Sequence, residues 1–108
     1  MEIKFTDNSK EVSEDIKAAL LRGLETCGLV AEGYAKKLAP VDTGNLRNSI
    51  THEVDGVEPA AYIGTNVEYA PYQELGTIHM KAQPFLKPSV ADHANEYRKI
   101  IEKELKNG

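Results

Sequence analysis

The chain has 108 residues, 41% of them apolar, a net charge of −4 and one cysteine. That length fits one domain, residues 1–108, with a core large enough to fold without metal or disulfide support. The charge argues against an electrostatic grip on nucleic acid. A lone Cys27 excludes a disulfide framework and a cysteine-rich zinc site, and no stretch approaches the ~20 apolar residues that cross a bilayer. The first residues contain no apolar signal-peptide core, so the expectation is a soluble protein made in the cytoplasm.

In chain order, Glu2-Ile3-Lys4-Phe5 alternates like a short strand. Ser9 or Ser13 then opens a helix, with Val12, Ile16, Leu20, Leu24, Cys27, Ala31, Tyr34, Ala35 and Leu38 as its apolar stripe. Lys36 and Lys37 suit its C-terminal end, and Pro40 stops it. Roughly 26 residues at 1.5 Å rise give about 39 Å, long against a compact domain of ~13 Å radius of gyration, so the helix is expected to bend or to overhang. Gly23, Gly28 and Gly33 interrupt it and read either as bends and tight contacts or as places where a neighbouring subunit comes close.

Asp42-Thr43-Gly44 reads as a turn, followed by a helical turn or by direct extension into a strand at Ile50–Val54. Asp55-Gly56 between two valines is a hairpin signal. A two-residue loop there sets Val54 opposite Val57, Ile50 opposite Ala61 and Asn48 opposite Ile63, with Pro59 in tension with the ladder. The second strand runs from Ala61 to Val67. Tyr69–Gly76 reads as a short helix with Pro71 in its first turn and Gly76 at its exit. Thr77–Gln83 is a polar connector, Phe85 and Leu86 are core anchors, and a last helix is predicted from Pro88 to about Leu105. The fold class is therefore α+β: a small antiparallel sheet around a central hairpin, packed against a long N-terminal helix and a C-terminal helix.

Residues for chemistry are sparse. His52, His79 and His93 lack the spacing of a zinc pair, so no metal site and no cofactor are expected. Asp42, Ser49 and His52 form the best imaginable hydrolase, but no glycine-flanked nucleophile accompanies them, and no enzyme is expected. Tyr62, Tyr69 and Tyr72 cluster with Pro71 and Leu75, as at protein interfaces or as in packing between a helix and a sheet.

Three ordered motifs carry a resemblance. APVDTGNLRNSI behind a long helix, AAYIGTNVEYAPYQELGT, and Gln83-Pro84-Phe85-Leu86-Lys87-Pro88 resemble the gene-product-ten-like tail-component family of long-tailed bacteriophages and prophages. The resemblance covers roughly residues 39–88; Gln83 stands where an arginine is often seen and Leu75 where an aromatic is common. It implies a virion protein of the neck or tail end, made in the bacterial host cytoplasm and acting in head–tail joining or tail completion. It implies partners that are other copies, in a ring of six, and other neck or tail proteins. No membrane and no sequence-specific nucleic acid are implied, with DNA free to pass through the ring. Tyr69, Pro71, Tyr72, Leu75, Ile78 and Met80 are the expected subunit interface, and Asp42, Gly44, Asp55 and Gly56 the expected structural turns. The acidic balance suits a conduit wall that lets DNA slide, and equally an ordinary soluble domain. The competing class is a non-viral interaction module built on Tyr62, Tyr69 and Tyr72.

Overall fold

A computed structural model describes residues 1–6, 13–40, 45–79 and 81–107. Strand β1 (Glu2–Thr6) leads to the long helix α1 (Glu14–Leu38), the short helix α2 (Asn45–Ser49) and strands β2 (Thr51–Asp55) and β3 (Ala60–Gly64). Helices α3 (Ala70–Leu75), α4 (Leu86–Ala91) and α5 (Ala94–Asn107) complete the chain. The sheet is antiparallel in the order β1-β3-β2.

α1 starts and stops where its sequence dictates. Extended Ser13 accepts the Ile16 amide on its Oγ at 3.3 Å, and Glu14 and Asp15 face the positive end of the helix. Ala39 turns extended before Pro40, because proline disfavours helical backbone in the residue it follows. Burial begins only at Ala19, so the first turn of α1 stands clear of the core. That overhang and the helix length account for extents of 50 × 22 × 22 Å and a radius of gyration of 15.1 Å.

Three apolar clusters lie along α1. Leu20 and Leu24 meet Ala61 and Val54 of the sheet. Cys27 and Ala31 meet Tyr97 of α5. Ala35 and Ala39 meet Leu46, Ile50, Ile63, Ala70, Phe85 and Leu86. Phe85 and Leu86 are fully buried, as their place between two prolines indicates. Burial, with the charge of Glu96, pushes the Cys27 thiol up to about 11, so it stays a neutral packing residue.

The hairpin register differs from the two-residue expectation. Val54 pairs with Ala61 and His52 with Ile63, so the connection is Gly56–Pro59 and every pairing is shifted by four residues. Asp55 Oδ1 accepts the amides of Val57 and Glu58 at 2.9 and 3.3 Å, which curls the chain into the wider turn. Pro59 is thereby kept out of the ladder, where its missing N–H would cost a bond. A shift of four preserves the faces: Ala61, Ile63 and Val54 still point inward, while Val57 sits in the turn at 89% exposure.

The predicted last helix is two helices. The Ser89 carbonyl, which a continuous helix would offer to the His93 amide, accepts the Tyr97 hydroxyl instead. The His93 amide turns to Val90 O at 3.3 Å, and the chain breaks at Asp92–His93. His93 stacks on Tyr34 of α1, with ring centroids 3.6 Å apart and planes 3° apart.

The three α1 glycines do different work. A Cβ on Gly23 would lie 3.3 Å from Ile101 of α5, and one on Gly28 would lie 2.5 Å from the His52 ring; both are close contacts within the chain. A Cβ on Gly33 would meet nothing within 4 Å. Gly33→Ala is therefore expected to raise stability by about 1 kcal/mol, the helix-propensity difference, read as a higher urea midpoint.

Candidate functional site

The expected interface residues gather on α3 and the connector behind it. Pro71 lies in the first turn of α3, whose exit Gly76 takes φ 78, a left-handed angle that favours glycine. Ala70 and Glu74, four apart, face inward and are buried. Tyr72 and Leu75, three apart, face outward at 58% and 72% exposure. Ile78 follows at 95%. Pro71 is half-buried, and half-buried Tyr69 packs against the core cluster of Phe85 and Ile63. Met80, Asp42 and Gly44 lie outside the described residues.

The connector is fixed at its base. Gln83 N–H donates to Gln73 O at 2.7 Å, tying the far end of the loop back to α3. Glu74, 5% exposed, accepts the amides of Phe85 and Leu86 on Oε1 at 3.1 and 2.8 Å and that of Lys87 on Oε2 at 3.2 Å. These amides open α4, and the first amides of any helix lack intrahelical partners. The carboxylate of one short helix thus caps the next, and Ile78 is held out between two anchored feet. Sequence reading missed Glu74, although its four-residue offset from inward-facing Ala70 placed it on the buried side.

His52 was also missed as a structural residue. Its Nε2 lies 2.7 Å from Glu25 Oε1 and its Nδ1 3.1 Å from Glu32 Oε1, both on α1. Burial opposes its charge, but the two carboxylates outweigh burial and hold its pKa above the ordinary histidine value. With both ring nitrogens engaged by glutamates, neither is turned to Ser49. The Ser49 hydroxyl donates to Leu46 O at 2.7 Å and bonds the Thr65 hydroxyl. The imagined Asp42–His52–Ser49 site is therefore not assembled among the described residues. Among the described residues, no group of three His, Cys, Asp or Glu has metal-binding geometry, and no helix is long and apolar enough to cross a membrane.

The three clustered tyrosines occupy different settings. Tyr62 lies on the outer face of the sheet with the Lys4 ammonium 5.7 Å from its ring centre, Tyr69 leans on the core, and Tyr72 is exposed.

These features define a small α+β protein that presents an apolar loop from a pinned base. The chain belongs to the HK97-gp10-like family, described as "Bacteriophage HK97-gp10, putative tail-component", which matches residues 3–76, from β1 to the glycine that closes α3. The family is one of phage tail components, which supports a structural role in a phage. No curated protein and no solved structure gives a significant match.

Proposed function

We propose that this chain is a ring-forming subunit at the neck or end of a long phage tail, acting in head–tail joining or tail completion. The observation that carries the reading is the exposed apolar run Tyr72–Leu75–Ile78, held outward on a base fixed by Glu74 and Gln83. Such side chains gain most of their free energy when another surface covers them. The complementary patch is the outward side of α1. Exposed Leu29 and open Gly33 sit four residues apart there, and the absent Cβ leaves a shallow notch for a neighbour's side chain. Two different patches of one protomer make a heterologous contact, which closes into a ring when the rotation allows. Copies of the chain and neighbouring neck or tail proteins are its partners, with DNA passing through the ring.

The test substitutes Leu75→Ser together with Ile78→Ser. The urea midpoint is expected to stay at the wild-type value, since both side chains are exposed. Electron microscopy of particles made with the variant is expected to show heads without tails or tails without heads. Normal particles in wild-type yield would remove the patch from assembly.

A further inference from the structure

The outer face of the sheet and the outer face of α5 carry opposite charges, several of which have no ion partner among the described residues. Glu2, Lys4, Thr51, Glu53, Tyr62 and Gly64 share the outer side of the sheet by strand register. Glu2 and Glu53 are exposed, and neither has an ion partner among the described residues. Lys4, on that face by strand register, is drawn over Tyr62 and towards Glu58, 3.5 Å away at the hairpin turn, and the Met1 ammonium at the rim donates to Thr65 O at 3.3 Å. An open trough of about 600 Å³ lies here, bordered by Asn48 and Asn66. Its floor at Gly64 carries no side chain, because a Cβ there would stand 2.8 Å from Glu2 Cβ and from Met1 O.

On α5, Arg98, Lys99, Lys103 and Lys106 are all exposed and, at ~100° per residue, fall within an arc of roughly 140°. Glu102 is the one anion in that arc, and none of the four cations has an ion partner among the described residues. Glu104 is turned away to Arg22 at 3.3 Å and Glu96 to Tyr34 at 2.6 Å. A chain of net charge −4 thus concentrates cations on one helix face and leaves carboxylates on another surface.

We propose that α5 of one copy docks across the outer face of the sheet of a second copy, its cations over Glu2 and Glu53. The spacing fits. Glu2 and Glu53 stand two strands apart and two residues out of line, roughly 12 Å from the ~4.8 Å strand spacing and ~3.4 Å rise. Arg98 and Lys106, eight residues apart, span roughly 12 Å along the helix. One copy can use both surfaces at once. The sheet packs on the Leu20, Leu24 and Gly28 side of α1, whereas α5 packs on the Gly23 and Cys27 side. This contact rests on the reading that copies of the chain meet, and adds a charged contact to the apolar one at α3.

The test uses two charge-reversed variants of the full chain, Glu2→Lys with Glu53→Lys, and Arg98→Glu with Lys106→Glu. Wild-type self-association, followed by sedimentation, is expected to weaken roughly tenfold between about 50 and about 200 mM salt. Each variant alone then has like charges on both faces and is expected to sediment as a monomer. An equimolar mixture restores opposite charges at every contact and is expected to regain the wild-type species. A mixture that stays monomeric, or wild type that is monomeric at ~1 mM and low salt, overturns the proposal. It is overturned too if the α5 variant loses retention of a duplex DNA probe while mixing restores nothing, since the helix face would then serve a polyanion. Leu75→Ser with Ile78→Ser in the same assay separates the two readings. Charge rescue that survives those substitutions unweakened counts against the apolar patch alone, and association lost through them but indifferent to charge counts against the docked helix alone.

Discussion

Replacing Glu74 by alanine is expected to destabilise the protein by about 3–5 kcal/mol, a large share of the ~5–15 kcal/mol that holds a domain folded. Its carboxylate accepts three backbone amides, those of Phe85, Leu86 and Lys87, at 2.8 to 3.2 Å. Phe85 and Leu86 are fully buried, so water cannot reach their amides to replace the lost acceptor. Hydrogen bonds to a charged group contribute about 1.5–3 kcal/mol each, and an abandoned buried donor costs about 1–3 kcal/mol. The sum is held below three full bonds because the Lys87 end is exposed and can relax. Glu74→Gln keeps one carbonyl oxygen for two amides but sets its NH₂ against the third, so an intermediate loss of about 1–2 kcal/mol is expected. Urea denaturation reads both. An alanine variant within about 1 kcal/mol of wild type would mean that this carboxylate is not the cap of α4. Because the same bonds anchor the connector, Glu74→Gln is also expected to impair assembly while the chain stays folded.

Most of the fold was legible because its signals are local. The start of α1 follows from the Ser13 hydroxyl, its end from Pro40, and the anchoring role of Phe85 and Leu86 from their place between prolines. The hairpin was legible in place but not in register. Asp55-Gly56 marks a turn, yet the choice between two and four loop residues falls to the Asp55 side chain and to the exclusion of Pro59. The break in the last helix was not legible from its own residues. It depends on a Tyr97 hydroxyl taking a carbonyl one element earlier and on His93 stacking against Tyr34 on α1. At the candidate interface, the clustering of tyrosines around Pro71 and Leu75 pointed to exposed Tyr72 and Leu75, but equally to Tyr69, which leans on the core. It could not show that the inward Glu74 meets three amides more than ten residues downstream. Interactions bridging distant segments leave no spacing to read.

His52 is the sharpest case of that kind, and it separates two glycines that look alike in the sequence. Gly28→Ala is expected to destabilise the fold by about 1–3 kcal/mol, the cost of overpacking, although helix propensity alone would favour alanine by about 1 kcal/mol. The added Cβ would lie 2.5 and 2.9 Å from Cδ2 and Cγ of His52 and 3.2 Å from its Cβ, so the whole side chain must move. It cannot move freely, because Glu25 and Glu32 hold its two ring nitrogens. Carboxylates only accept, so both nitrogens donate when the ring is the imidazolium. The ring therefore clasps β2 to α1 best when charged. The sign of the pH dependence follows. With a folded-state pKa raised above the ordinary 6.5, the contribution is fully present below that value and fades as pH rises through the raised one. Lys36 also faces this cluster, with its Nζ 3.5 Å from Glu32 Oε2. Urea midpoints of the wild type are thus expected to fall between mildly acidic and mildly alkaline pH by more than those of His52→Ala. In the His52→Ala background the obstacle at Gly28 is gone, and Gly28→Ala is expected to become neutral or stabilising. Equal effects of Gly28→Ala in the two backgrounds would show that the ring and the glycine are not coupled, and the clasp would then have no part in holding the sheet to its helix.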